Sequence, residues 1–562
     1  MALQSAASPK SRNAAGNAIV AANSSAALAV VIAASCCLAW VNRFVQDDAY
    51  ISLRYARNLA QGHGLVWNPG GERVEGYTNF LWTLVTAVPY ALGLEPVSYM
   101  YALGLVMVAG TLVVTYLLAM QMFGRSDLAL IAVLLTGGNY SFSCYATGGL
   151  ETQLQTLLLT SCALIAVRTE RLGEGSAPML LLFSLLSALA ALTRLDSGVP
   201  VAVMGLTMCW LAIRNSESVG MAVARLGLLA LPIVTILGSW MAWKYAYYGS
   251  LLPNTFHVKA GEASLLRGGW YVALFLAVYL FVVPLGGVAL RLPKLMQALG
   301  GTLSVMVLAS LGLWLVYVVR VGGDFMEFRF MVPVIPVIAI MSAWAIVEFC
   351  TSRRSVGFAV AGMLAASFIH AIAFDNVPWK RGIESVSDLA RHLTHPDSNW
   401  IGIGKFLGDA FREDASVVVA ITPAGAIPYF SDMTSIDMLG LNDKWIAKNG
   451  VKLSDRPGHQ RISTVKHLVD VGATFVVGHP TMVFDVAQLQ RGVRMDQLET
   501  MFLGKPMPDP ESLPAHAQVV LVPYSKSKHL LAIYLTPTPA MNRRLEELGW
   551  QLVPILRAGQ AG

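Results

Sequence analysis

Charge is what this sequence has little of. Of 562 residues only 13% are Asp, Glu, Lys or Arg, while 55% are hydrophobic, against about 25% charged residues in an ordinary soluble domain. That composition excludes a single water-soluble globule and points to a polytopic membrane protein. Cysteine is scarce as well: Cys36, Cys37, Cys144, Cys162, Cys209 and Cys350 all fall in or beside apolar segments, with no CxxC pair. Neither a disulfide framework nor a cysteine zinc site fits that pattern. A basic stripe is also missing. The net charge of +6 is spread over short clusters between apolar runs, which speaks against a nucleic-acid partner and for topology signals.

What is present is a succession of apolar runs close to the ~20 residues needed to cross a bilayer. They lie near 27–45, 99–122, 127–143, 150–168, 178–193, 198–213, 226–246, 270–290, 300–319, 330–349 and 356–374. The predicted fold is therefore a polytopic α-helical membrane protein of about eleven spans. The polar N-terminal stretch 1–26, with Lys10 and Arg12, reads as a disordered cytoplasmic tail followed by a retained first span. With that tail inside, Arg125, Arg168/Arg171, Arg214/Arg225, Arg291/Lys294 and Arg353/Arg354 all fall on inside loops, as the positive-inside rule asks. The run Phe80 to Gly93 is short for a span and reads as re-entrant or interfacial.

The transmembrane part, 27–374, gives way after about 375 to charges, prolines and alternating runs. ASVVVAITPAGAIPYF, ATFVVGHP and QVVLVPYS read as strands, DLARHLTHP and MNRRLEELGWQL as helices. Residues 375–562 thus form a soluble α/β domain, placed outside by the same topology.

The polar-rich loops sort to one side. The outside face collects DDAYISLR, GERVEGYTNF, YATGGLET, TRLDSG, YYGSLLPNTFHVK and RVGGDFMEFR, while the inside loops hold little besides arginine and lysine. Ionisable side chains at span ends are costly unless they pair or face water, so this one-sided gathering predicts a site on the outer face. A transporter would instead place charges near the midplane. Asp47 and Asp48 follow the first span directly; adjacent carboxylates suit proton or metal work, and Asp48 also suits capping a helix that starts near Ala49. Arg54, Glu72, Glu75, Glu151 and Asp324 share the outer loops. Tyr77 and Trp82 suit sugar stacking or an interfacial aromatic belt. Arg194, Asn254, His257, Lys259 and Arg329 supply the cations and amides an anionic phosphate needs, or else snorkel to headgroups.

Taken in order, DDAYI, NPGGERVEGYTNFLW, GGLET, LLPNTFHVK, GGDFMEFRFMVPVIP and IDMLGLND (436–443) resemble the GT-C class of polyprenyl-phosphate-dependent glycosyltransferases. Within it the chain is most similar to the terminal arabinofuranosyltransferases of mycobacteria and related pilin-modifying arabinosyltransferases. The resemblance implies a lipid-linked donor such as decaprenyl-phosphoryl arabinofuranose, and a glycan, lipid or pilin acceptor met at the outer face of the cytoplasmic membrane. It implies inverting transfer with Asp47 as general base and Asp48 orienting it, or both on a divalent cation that the chemistry does not require. Arg194, His257, Lys259 and Arg329 would hold the donor phosphate. Arg54, Glu72, Glu75, Tyr77, Trp82, Glu151, Asn254 and Asp324 would shape the sugar and acceptor pocket. Asp437, Asn442 and Asp443 would cover the site or form an ordinary turn. Other readings are transfer of mannose or aminoarabinose, a flippase for lipid-linked sugars, and a non-catalytic envelope assembly factor.

Overall fold

The computed structural model describes residues 9–557 apart from 174, 260–263, 485, 488 and 526, with side chains described from Ser24 onward except that of Lys259. Every apolar run of the sequence lies on helix. In chain order these are α1 (Pro9–Val41), α2 (Asp47–Ala60), α3 (Phe80–Leu92), α4 (Pro96–Phe123), α5 (Ser126–Gly137), α6 (Tyr140–Cys144), α7 (Thr152–Leu172), α8 (Ala177–Thr193), α9 (Gly198–Arg214) and α10 (Val219–Tyr248). They continue as α11 (Asn254–Lys259), α12 (Leu265–Val278), α13 (Val282–Leu290), α14 (Leu292–Leu299), α15 (Gly301–Arg320), α16 (Ile335–Phe349) and α17 (Arg353–Ala373).

Seven helices among the described residues are individually long and apolar enough to cross a membrane, and the pair α12 and α13 adds an eighth crossing if counted together. The chain is a multi-pass membrane protein. Helix α1 begins at Pro9. Two expectations need correction. The run 270–290 is not one straight span, since α12 and α13 meet at 95° where Leu280 takes a left-handed φ of 58°. The run 127–143 is two helices, α5 and α6, broken at Gly138-Asn139.

The basic loops share one end of the bundle. Arg171 donates to the carbonyls of Met122 (2.8 Å) and Ala298 (3.3 Å), Arg214 pairs with Glu170, and Lys294 pairs with Glu348. The polar loops meet at the opposite end. Helix α3 begins and ends there: Phe80 packs on Trp240 and Trp243, and the Tyr90 hydroxyl lies 2.7 Å from that of Tyr429 beyond the bundle. At 13 residues it is shorter than the helices long enough to cross a membrane.

Beyond α17 the chain forms an α/β layer on the polar end. After α18 (Val386–Thr394) and α19 (Trp400–Phe411) come β1 (Val418–Ile421), α20 (Ala426–Ser431), β2 (Thr434–Asp437), α21 (Lys444–Asn449), β3 (Val451–Lys452), β4 (Arg461–Ile462), α22 (Val465–Asp470) and β5 (Phe475–Gly478). The strands β6 (Met482–Val483), β7 (Val493–Arg494), β8 (Gln518–Ser525), β9 (Lys528–Tyr534) and β10 (Gln551–Leu556) follow, with α23 (Pro539–Glu547) before the last. AIPYF, expected as strand, is helix α20: the chain has already left the sheet at Thr422-Pro423. The main sheet runs β2-β1-β5-β9-β8-β10-β7 with β6 beside β9. Strand β1 is parallel to β2 and β5, so all three carry their carboxyl ends to one edge. That edge is where open parallel sheets bind ligands, and here it is pressed against the membrane bundle.

Candidate active site

Between the bundle and that edge lies a cavity of about 280 Å³, at the small end of the roughly 300–1,000 Å³ usual for small-molecule sites. Its floor starts with α2. Gln46 is extended, and its side chain accepts the Asp48 N–H at 2.6 Å, so the helix cap expected of Asp48 is made by Gln46. Both aspartates then sit in the first turn, where the helix dipole favours negative charge. Their fates differ. Asp47 is 8% exposed and its oxygens accept the N–H groups of Gly425 (3.1 Å) and Ala426 (2.7 Å) across the domain boundary. Burial pushes its carboxyl up to about 7 against the pull of the Ala426 and Gly425 donors, with the Asp48 charge adding to the rise. Asp48 is half-buried and lines the cavity beside it.

The rest of the floor is a relay of polar groups. Asn79 accepts from Ser52 and Thr83 and donates to Glu151 at 2.7 Å. Glu151 pairs with Arg194 (2.8 Å), which also pairs with Asp196 (2.6 Å); Asp196 in turn accepts from Gln155 and Tyr317. Arg194 is therefore held by two carboxylates. Arg329 is different: its Nε donates to Asp324 at 2.7 Å, and among the described residues its two Nη groups have no protein acceptor, so they are available to an anion in the cavity it lines.

The soluble domain supplies the roof. Thr422-Pro423-Ala424 leave β1, Leu439 and Leu441 follow β2, and His479 follows β5. Glu384, His392, Trp400, Arg456 and His459 complete it. Glu384 pairs with Arg456, and His392 stands 3.5 Å away; burial alone would raise this carboxyl, but the His392 hydrogen bond and the Arg456 charge hold it at about 2. Burial lowers His459 and His479 to about 4, helped by the Arg456 charge at the first and the His392 charge at the second. Both imidazoles are neutral at pH 7. Among the described residues no group of three or more His, Cys, Asp or Glu side chains is arranged to hold a metal ion.

Of the residues singled out in the sequence, Asp47, Asp48, Tyr77, Glu151, Arg194 and Arg329 line this cavity, with Asp324 directly behind Arg329. Others have structural work elsewhere. Arg54 is buried and donates to the Trp67 carbonyl (2.7 Å), Asn68 (2.9 Å), the Met433 carbonyl (2.8 Å) and the Pro428 carbonyl. Glu72 pairs with Lys444 at 3.2 Å on the surface. Glu75 pairs with buried Lys244 at 2.8 Å, and burial still keeps its carboxyl up at about 7. Trp82 donates its ring N–H to the Gly149 carbonyl. Asn254 donates to the carbonyls of Gly440, Leu441 and Asp443. His257 does not line the cavity, and the Lys259 side chain lies outside the described residues. Asp437 closes a turn by accepting from Leu439 and Asn442, and Asp443 caps α21. The sequence reading expected the C-terminal domain to cover the site but named none of the roof residues that line the cavity. Its available signal was the Gly-His dipeptide repeated at 458–459 and 478–479, each glycine left-handed and each histidine at the cavity.

The chain is 28% identical over 347 residues to a terminal beta-(1->2)-arabinofuranosyltransferase of Corynebacterium glutamicum, covering 54% of this chain and 48% of that protein. It is 28% identical over 260 residues to the protein of the same name from Mycobacterium tuberculosis, covering 44% and 40%. The chain thus spans about half or less of the length of the curated relatives it matches. Residues 390–528 match a family model described as Domain of unknown function (DUF8728). Among solved structures, ArnT from Cupriavidus metallidurans bound to undecaprenyl phosphate superposes with a TM-score of 0.55 at 12% identity, over 90% of this chain and 97% of that one. The archaeal oligosaccharyltransferase AglB from Archaeoglobus fulgidus, in complex with an inhibitory peptide and a dolichol-phosphate, gives 0.51 at 10% identity, over 91% and 74%. The fold is that of the GT-C glycosyltransferases: an apolar helical bundle carrying a sheet-containing C-terminal domain.

Proposed function

We propose that this protein is an inverting glycosyltransferase that moves a sugar, D-arabinofuranose, from a polyprenyl-phosphate donor to an acceptor hydroxyl on the outer face of the cytoplasmic membrane. The observation that carries the reading is the pairing, in one cavity at the polar end of the bundle, of the Asp47–Asp48 carboxylates with an arginine, Arg329, whose Nη groups have no protein acceptor among the described residues. Two solved proteins of this fold have a polyprenyl or dolichol phosphate bound, and two curated relatives are named arabinofuranosyltransferases. In this reading the N-terminus is cytoplasmic and the C-terminal domain extracytoplasmic, which the placement of the basic loops supports.

In this mechanism the acceptor oxygen attacks the anomeric carbon while the bond from that carbon to the phosphate oxygen breaks. The acceptor proton passes to a carboxylate, and the lipid phosphate leaves with its charge met by Arg329. Asp48 is the better base: it is the more exposed of the two carboxylates that line the cavity, whereas Asp47 is buried. Asp47 then orients Asp48 and holds the roof in place. Arg194, shared between two carboxylates, shapes the floor through Glu151. A divalent cation is not needed for a lipid-phosphate leaving group; if one binds, Asp47 and Asp48 are its ligands. The acceptor enters beneath the roof, and its class, glycan, lipid or pilin, is set by those residues. A flippase would need polar groups through the bundle, but the cavity inside it is lined by Leu118, Leu159, Met204, Met306 and Val334.

The test is transfer from synthetic decaprenyl-phosphoryl arabinofuranose to a panel of acceptors by the protein in nanodiscs. Asp48→Asn is expected to lower kcat by about 10²–10⁴-fold with donor KM little changed. Full activity in that variant would sink the base assignment. Transfer from the mannose or aminoarabinose donor, and none from arabinose, would replace the sugar.

A further inference from the structure

The loop Asp324–Arg329 touches both walls of the cavity, residue by residue. Asp324 binds Arg329. Phe325 packs its ring against the Arg456 guanidinium (5.4 Å) and the His459 ring (5.5 Å) of the roof. Met326 forms a parallel bridge with Glu384, made by Glu384 N–H to the Phe325 carbonyl (2.7 Å) and Glu327 N–H to the Glu384 carbonyl (3.0 Å). Arg329 then enters the floor. One short backbone bridge thus fixes the distance between the floor cation and the Glu384–Arg456–His392 cluster above it.

What fixes the bridge is a carboxylate that does not reach the cavity. Glu327 is 1% exposed; one oxygen lies 2.7 Å from His370 Nε2 on α17, and the other accepts the Val386 N–H at 2.8 Å, two residues past Glu384. The next residue, Phe328, has φ of 47°, a conformation bulky side chains rarely adopt. Its ring is closed in by Tyr271, Tyr279, His370 and Phe374. Strained backbone of this kind persists only where its surroundings over-determine it.

We infer that the Glu327–His370 pair is a positioning device that sets Arg329 and the Glu384 cluster together, so that donor and acceptor sides of the cavity move as one unit. The inference rests on the proposed transferase reading for its kinetic consequence, and on geometry alone for the coupling. Three variants test it: Glu327→Ala, His370→Ala and His370→Gln, the last keeping an N–H that can donate to Glu327. Two readouts are taken, amide hydrogen exchange at 324–329 and 384–386, and the separate KM values for donor and acceptor. Both alanine variants should lose protection in both segments and raise both KM values. A shift of about 1 Å at a reacting centre can cost about 100-fold, and kcat/KM should fall on that order. His370→Gln should restore exchange and kinetics.

Unchanged KM values in an alanine variant that merely melts earlier would overturn the inference. So would one segment opening without the other, or no rescue by glutamine. If the wild-type protein transfers sugar from no polyprenyl-phosphate donor, the functional reading fails by itself. The coupling is then decided by the exchange pattern and by binding of undecaprenyl phosphate, which the alanine variants should weaken and His370→Gln should restore.

Discussion

Arg54 is surrounded by acceptors from three places, the 67–68 turn, Pro428 and Met433, and is 1% exposed. Burial lowers its guanidinium to about 9, with Arg57 adding to the fall, so it is a charge kept in place by carbonyls. Arg54→Ala leaves those acceptors unpaired and should cost about 1–3 kcal/mol for each that stays dry, read as a lower melting temperature in detergent, while donor KM of the folded protein stays unchanged. Local spacing placed Arg54 among the site residues because its partners at 428 and 433 are invisible from its own neighbourhood. Asp48 was misread for a related reason: aspartate is the better cap in general, but Gln46 was already extended in the capping position. Glu384 gives a pH test. Its folded value lies below the ordinary carboxylate value of 4.5, so its stabilisation is present above about 4.5 and is lost as pH falls from there through about 2. Unfolding followed across that window should show a steeper acid loss in wild type than in Glu384→Gln.

At the scale of elements, the contact between α2 and the turn into α20 is a tight join of the two parts. A Cβ on Gly425 would stand 1.9 Å from the Asp47 backbone oxygen, which nothing flexible can relieve. Gly425→Ala is expected to pry α20 from α2, expose 375–385 to protease and abolish transfer; Gly269→Ala, where a Cβ meets nothing within 4 Å, should leave both unchanged. Equal protease resistance in the two variants would show that this contact does not hold the domains. Helices were legible here because apolar runs of the right length admit few alternatives. The α12–α13 bend was not, since its left-handed residue is Leu280 and no glycine marks the break. The strand edge was half legible: β1 could be read from VVVAI, but not that its carboxyl end would face a membrane bundle.

For the whole molecule, the gathering of the basic loops at one end of the bundle predicts that this end faces the cytoplasm. In a background lacking the six native cysteines, a cysteine at Asp127 should react with an impermeant thiol reagent only from the cytoplasmic side, and one at Asp470 only from outside. The reverse pattern would invert the topology and remove access to an extracytoplasmic acceptor. The alternation of charge was readable in the sequence because it follows from insertion; the cavity was not, since half its lining comes from the last third of the chain. The two N–H groups that Asp47 accepts belong to Gly425 and Ala426, and they are synthesised after every helix of the bundle. A ribosome that has delivered all the spans has still made no cavity, only an open groove with an unsatisfied carboxylate. The cavity is therefore completed only once the C-terminal domain has docked on the bundle, so a product stalled or truncated before Gly425 lacks its roof.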